Sequence, residues 1–103
     1  MAETEKSASS WTFLTNYSHV LVCLLKDPNL TIREMAFKIG ITERMVSLLV
    51  SDLEKGGIIT RERIGRRNSY KINLDAQLRH PLEQGHTVGD LLCSIAREPA
   101  RKM

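Results

Sequence analysis

Only Ile41 separates Gly40, which ends one short helical pattern, from Thr42, which opens the next. Glycine ends a helix where the chain must enter a left-handed turn. Threonine starts one by accepting a backbone N–H through its side chain. The first of the two helices opens at Thr31, and Glu34 stands three residues on, the spacing of a capping box. Ile32, Met35, Ala36 and Ile39 follow at the spacing of one buried face. In the second helix Val46, Leu49, Val50 and Leu53 repeat in the same way, and Gly56-Gly57 ends it. Two short helices joined by so tight a turn form a compact supersecondary unit and restrict how the rest of the chain can fold.

A hairpin follows at once. Ile58 to Ile64 reads as one strand and Ser69 to Leu74 as its partner, with Tyr70, Ile72 and Leu74 alternating against Ser69, Lys71 and Asn73. The predicted turn is Gly65-Arg66-Arg67-Asn68. Arg61, Arg63, Arg66, Arg67 and Lys71 lie on this hairpin against one acid, Glu62. Such a tip suits a narrow minor groove or flanking phosphates, or else a soluble hairpin blunted by charge.

On either side of this unit the pattern is helical. Tyr17, Val20, Leu21, Leu24 and Leu25 form one stripe, predicting a first helix over Thr15 to Lys26, which Asp27-Pro28-Asn29 stops. Trp11, Phe13 and Leu14 lead into it, as a cap on the core or a partner contact. Residues 1–10 are polar and serine-rich and read as a disordered tail. Residues 75–86 form a polar connector with Leu78 and Leu82 as candidate anchors. A last helix opens at Thr87, with Asp90 as an acidic variant of the capping box. It carries the stripe Val88, Leu91, Leu92, Ile95 and Ala96, and its basic end Arg97, Arg101, Lys102 suits a helix C-terminus. The predicted fold class is mainly α with a small β-hairpin (α+β): a three-helix core, a two-stranded wing and a C-terminal helix.

The totals fit one small domain. The chain has 103 residues, 42% of them hydrophobic, and a formal net charge of +3, a mild excess that suits a polyanion partner. No apolar run approaches the roughly 18 residues of a membrane span, and there is no charged-then-apolar leader. The two cysteines, Cys23 and Cys93, lie far apart, which fits a reduced cytoplasmic protein. His19 and Cys23 have i, i+4 spacing, but no further ligand lies near them, so no metal and no cofactor are expected. A glycine-rich phosphate loop, an H-E-x-x-H pair and a nucleophile arrangement are all missing, so the chain does not read as an enzyme.

On a helical wheel Arg44, Ser47, Leu48, Ser51 and Lys55 oppose the stripe of the second helix of the pair. Arg44 suits a guanine or a phosphate, and Ser47 a base edge or a phosphate. Leu48 is apolar on an outward face: a thymine-methyl contact or simply an exposed leucine. Met45, at the edge of the stripe, is expected to pack.

The order helix, helix, helix, strand, turn, strand resembles the winged helix-turn-helix fold. The segments Leu30–Ala36, Ile41–Ser47 and Leu53–Ile59 are similar to the DNA-binding core of the MarR and ArsR groups of bacterial transcriptional regulators, above all the small single-domain MarR-like proteins. The resemblance covers roughly Leu14 to Leu74. It implies a homodimer reading a palindromic double-stranded DNA operator. Thr42, Arg44, Met45, Ser47 and Leu48 would hold the recognition-helix contact positions, and Arg66, Arg67 and Asn68 the wing tip. Leu48 departs from the family, where a polar residue is common. The flanking helices are shorter than in full-length relatives, which makes a small-molecule effector pocket doubtful.

Residues 11–74 are therefore expected to form the DNA-binding domain. Its contacts would be the recognition-helix and tip residues named above with Ser51, Arg61 and Arg63. Residues 75–103 would form the connector and dimerisation element, with Leu14, Val88, Leu91, Leu92 and Ile95 at the dimer contact. The competing reading is a winged-helix protein-interaction module that uses Leu48 and the Trp11–Leu14 segment.

Overall fold

The computed structural model describes residues 11–96. The tail expected over residues 1–10, and Arg97, Arg101 and Lys102, lie outside the described residues. The elements run α1 (Asn16–Lys26), α2 (Ile32–Ile39), α3 (Glu43–Lys55), β1 (Ile59–Ile64), β2 (Arg67–Ile72), a 3-10 turn (Pro81–Glu83) and α4 (Val88–Ala96). Four helices and one antiparallel hairpin make this an α+β winged helix.

Each α-helix start is satisfied by the threonine just before it. Thr15 accepts from the Ser18 N–H at 3.4 Å, Thr42 from the Met45 N–H at 3.0 Å. Thr31 and Glu34 exchange both bonds of a capping box, at 2.8 and 3.1 Å. Thr87 and Asp90 do the same at 3.0 and 3.1 Å, so aspartate is long enough for the reciprocal contact. These pairings occupy donors that a helix cannot satisfy internally.

The two helices of the tight pair also end alike. Gly40 and Gly57 have φ of 87° and 76°, values open to glycine at little steric cost. In each case the following isoleucine turns its N–H back onto the helix, Ile41 to the Ala36 carbonyl at 3.1 Å and Ile58 to the Leu53 carbonyl at 2.9 Å. Ile58 is thereby delivered into the core.

The core is aliphatic. Val20, Leu21 and Leu24 of α1 meet Met35 and Ala36 of α2, the α3 stripe Val46, Leu49, Val50 and Leu53, and Ile59 and Tyr70 of the hairpin. Hairpin register pairs Ile59 with Ile72, Arg61 with Tyr70 and Ile64 with Arg67. The Tyr70 N–H donates to the Pro28 carbonyl at 2.9 Å, which fixes the wing to the α1–α2 loop.

The turn differs from the sequence reading. It is two residues long, Gly65-Arg66, between the paired Ile64 and Arg67. Gly65 has φ 63° and Arg66 does not have a positive φ, the order of a II′-type hairpin turn. Arg67 and Asn68 therefore belong to β2, not to the tip.

The C-terminal part is not a free appendage. Leu78 donates its N–H to the His86 carbonyl, and Gln77 bridges to Thr87, which folds the connector back on itself. Leu78 packs against the core, whereas Leu82 is exposed and anchors nothing among the described residues. Helix α4 then lies on α1. Gly89 approaches the chain so closely that a Cβ there would stand 2.9 Å from the Leu74 carbonyl oxygen.

Val88 and Leu92 are 4% and 1% exposed in this single chain. Both were expected at a dimer contact. The α4 stripe meets α1 of its own chain instead, so neither side chain is open to a second copy. Leu91 is half-buried and Ile95 is 37% exposed. Leu92→Ala should lower unfolding free energy by about 2–5 kcal/mol, as for other buried leucines. Ile95→Ala should lower it by under about 1 kcal/mol. Urea denaturation of the two variants checks both values, and equal losses would show that α4 does not pack as described.

Candidate nucleic-acid interface

Helix α3 is held by its stripe so that the opposite side faces out. Thr42, Arg44, Met45, Ser47, Leu48 and Lys55 are exposed, and Ser51 is half-buried. Leu48, at the centre of this face, is 53% exposed. Met45 is 42% exposed and lies on the flank, not packed in the core as its position beside the stripe suggested. Four turns of one helix thus present two cations, two hydroxyls near the centre and an apolar patch.

A hydrogen bond fixes the roll of α3 against α1. The Tyr17 hydroxyl donates to Asp52 Oδ2 at 2.6 Å. This bond to a carboxylate raises the Tyr17 pKa above its ordinary value, because the ionised phenol could no longer donate. Sequence reasoning placed Tyr17 only in the α1 stripe and gave Asp52 no role. Nothing in the local pattern links two residues so far apart in sequence.

The hairpin is less basic in effect than its composition. Arg61 Nε lies 3.1 Å from Glu54 Oε2 of α3. Arg67 Nη2 lies 3.3 Å from Glu34 Oε1 of α2. Arg63 bonds the Gly65 carbonyl across the turn at 3.2 Å, which leaves its charge uncompensated by an acid. Arg66 occupies the tip, and Lys71 is exposed farther along β2. Of the basic residues predicted on the wing, Arg63 and Arg66 are thus the cations nearest the tip that no acid of the described residues neutralises. Asn68 is half-buried and pairs with Arg63 across the ladder.

Glu34 joins two elements, the start of α2 and the wing. One oxygen accepts from the Thr31 backbone at the start of α2 and also meets Arg67 of the wing. The backbone bond from Thr31, with help from its hydroxyl and from Arg67, holds the Glu34 carboxyl below its ordinary range near 4.5. Asp90 is likewise held low by the Thr87 N–H at the start of α4, with His86 adding to the effect.

Other candidates separate from this face. His19 bonds Asn16 at 2.9 Å, and burial pushes the Cys23 thiol above its ordinary value, which disfavours the thiolate. Among the described residues no group of three or more metal-ligating side chains converges. An open groove of about 910 Å³ runs between the lead-in, the end of α3, the connector and α4, lined by Leu14, Tyr17, Leu78, Arg79 and Leu91 among others. Phe37 on α2 is 88% exposed, and Ile64 is exposed beside the wing tip. Both break the apolar-inside pattern: Phe37 falls off the Ile32, Met35, Ala36, Ile39 stripe, which the sequence reading left without comment, and Ile64 ends an apolar-edged strand.

The MarR family model matches residues 16–65, from the start of α1 to the turn of the hairpin. Over that stretch, just under half of the chain, the winged helix is similar to the MarR family. Its fold resembles the crystal structure of a predicted DNA-binding transcriptional regulator from E. coli, with a TM-score of 0.58 over 92% of this chain and 88% of that one. At 16% identity that likeness is one of fold. The MarR-like chain is also 31% identical over 74 residues to an uncharacterized protein, MJ1254, of Methanocaldococcus jannaschii. That match takes in 71% of this chain but 16% of the archaeal protein.

Because the folded pKa values of Glu34 and Asp90 are depressed, the stability they confer is fully present above the ordinary carboxylate range. It is lost as pH falls through the lower folded values. The urea midpoint of the MarR-like chain should therefore decline below about pH 4.5. Glu34→Gln should lower the midpoint at neutral pH and make this acid decline shallower. Urea titrations at a series of pH values measure both, and an unchanged acid limb would count against the capping-box and Arg67 contacts.

Proposed function

We propose that this MarR-like chain is a sequence-specific, double-stranded DNA-binding transcriptional regulator. Helix α3 enters the major groove and the hairpin meets the adjacent minor groove or backbone. The observation that carries this reading is a run of basic side chains across two elements that no acid of the described residues pairs with. Arg44 and Lys55 border the outward face of α3, and Arg63 and Arg66 stand at the hairpin tip. Phosphate contacts of this kind position a protein on a duplex, while the exposed α3 side chains meet base edges.

On this reading residues 11–74 form the DNA-binding unit, and Thr42, Arg44, Met45, Ser47, Leu48 and Ser51 are its recognition-helix contacts. Arg63 and Arg66 lead the wing contacts. Arg61 acts closer to the base of the wing, Arg67 beside the turn and Asn68 opposite Arg63, with the two arginines able to exchange Glu54 and Glu34 for phosphate. The Arg67–Glu34 pair is solvent-exposed and the Arg61–Glu54 pair half-exposed, and surface pairs contribute at most about 1 kcal/mol, little resistance to that exchange.

The regulator acts as a homodimer on a palindromic operator, since a two-fold protein matches a two-fold site. With Val88 and Leu92 engaged inside the chain, the dimer contact falls to Leu14, Leu91 and Ile95. No helix among the described residues is long and apolar enough to cross a membrane, and a regulator of DNA would work in the cytoplasm. No reading as an enzyme is supported.

A protein-interaction module is the second reading. Trp11 and Phe13 favour it: their rings meet edge to face at 5.0 Å and both are exposed. A partner captured after nuclease treatment, and retained by an Arg66→Ala chain, would support it.

Arg66→Ala should weaken binding to every duplex and reduce the magnitude of the log–log salt slope by about 1 per chain. Arg44→Ala should cost about 1–3 kcal/mol on a selected site and less on random duplex. Fluorescence anisotropy at several salt concentrations measures both effects. Failure of the wild-type chain to bind any duplex at low salt would sink the DNA reading.

A further inference from the structure

Resting on the DNA-binding reading, we infer that α3 recognises the 5-methyl group of pyrimidines, with Leu48 as the main sensor and Met45 as its flank. Leu48 is at the middle of the outward face, 53% exposed, directly opposite the stripe that seats the helix. Along the same row stand Arg44, one turn before it, and Ser51 and Lys55 after it. Any duplex that these cations draw in must bring its groove floor against Leu48.

A leucine side chain neither donates nor accepts a hydrogen bond. It gains nothing from guanine N7 or O6, adenine N6 or cytosine N4, and it buries those groups without compensation if it meets them. The apolar feature of the major-groove edge is the C5-methyl of thymine. Cytosine carrying a 5-methyl group presents the same feature at the same ring position on a C·G pair. Met45, 42% exposed, adds a flexible thioether that adapts to a methyl at a neighbouring step.

Charge complementarity commits this face to a duplex. A protein partner for Leu48 would have to bury it among apolar neighbours, but beside Met45, and with Asp52 one turn on and bonded to Tyr17, its neighbours on the face are Arg44, Ser47, Ser51 and Lys55. Those groups suit phosphates and base edges and would be desolvated without partners in an apolar contact. The ligand chemistry is therefore a 5-methylpyrimidine in the major groove, and the site is sensitive both to thymine content and to cytosine methylation.

The test begins with the duplex best enriched by the full-length wild-type chain from a random library. Each thymine in it is replaced singly by deoxyuridine, which removes one methyl and leaves the pairing intact. At one or more positions in each half-site, affinity should fall about fourfold, the worth of one buried methyl-sized group. At such a position, a 5-methylcytosine·guanine pair should bind about fourfold more tightly than an unmethylated cytosine·guanine pair. Leu48→Ala, at an exposed position, should bind thymine and deoxyuridine duplexes alike while keeping its thermal midpoint. Equal binding of every deoxyuridine duplex by the wild-type chain would overturn the inference and leave the DNA reading standing. Methyl sensitivity that persists undiminished in Leu48→Ala would overturn the assignment to this residue. Enrichment of no duplex would overturn the DNA reading, and the inference with it.

Discussion

Burial of Val46, Leu49, Val50 and Leu53 decides everything that α3 can present. The stripe allows one roll of the helix about its axis, with Leu48 and Arg44 outward. Each of the four side chains is less than 9% exposed, so each contributes roughly 1.5–3 kcal/mol relative to leaving it in water. No surface ion pair in the chain approaches that. The Tyr17–Asp52 bond refines the orientation, and the Gly56-Gly57 exit aims the wing, but both act on a helix that the apolar contact has already set.

Electrostatics then operates on a fixed frame. Counting arginines overstated the positive charge of the wing, since Glu54 and Glu34 lie against Arg61 and Arg67. These acids are on α3 and α2, so the same contacts tie the wing to the helix pair. A stiff wing with its free cations at the tip costs less conformational entropy on engaging a backbone than a loose one. The arrangement trades some long-range attraction for position. That suits a small protein whose net charge of +3 gives modest steering in any case.

What was legible in the sequence is what depends on neighbours in sequence. Threonine caps at Thr31, Thr42 and Thr87 involve residues three apart, and each is found; Thr15, read as the first residue of its helix, is a fourth cap. The helical stripes are equally local, and all four helices lie where the periodicity put them. The hairpin register was readable only in part. Gly65 satisfies a turn of two residues or four, and Asn68 argued for the longer one. Pairing of Arg67 with Ile64 decided it, and that pairing depends on the whole ladder. The Arg67–Glu34 pair and the Tyr17–Asp52 bond link elements far apart in sequence, so no window along the chain contains them, and the Arg61–Glu54 pair, though close in sequence, crosses the helix-to-strand turn at Gly56-Gly57, where no periodicity carries through. Within the candidate site, the identities on the α3 face were therefore readable, but the balance of charge on the wing was not.

Helix α4 shows the limit of an apolar stripe as a signal. The repeat at Val88, Leu91, Leu92 and Ile95 says that one face leaves water, and it is silent on what covers that face. In a chain this short, α1 is half of the answer: it takes Val88 and Leu92 and closes the core. The edge of the stripe, Leu91 and Ile95, stays beside the groove that Leu14 also lines. A dimer built there would extend the existing core rather than create a second one, with α4 contributing to both. Mutations at Val88 or Leu92 would then impair folding and assembly together, whereas Leu91 and Ile95 would report on assembly more cleanly. In such a dimer α4 would serve folding along its inner edge and assembly along its outer one.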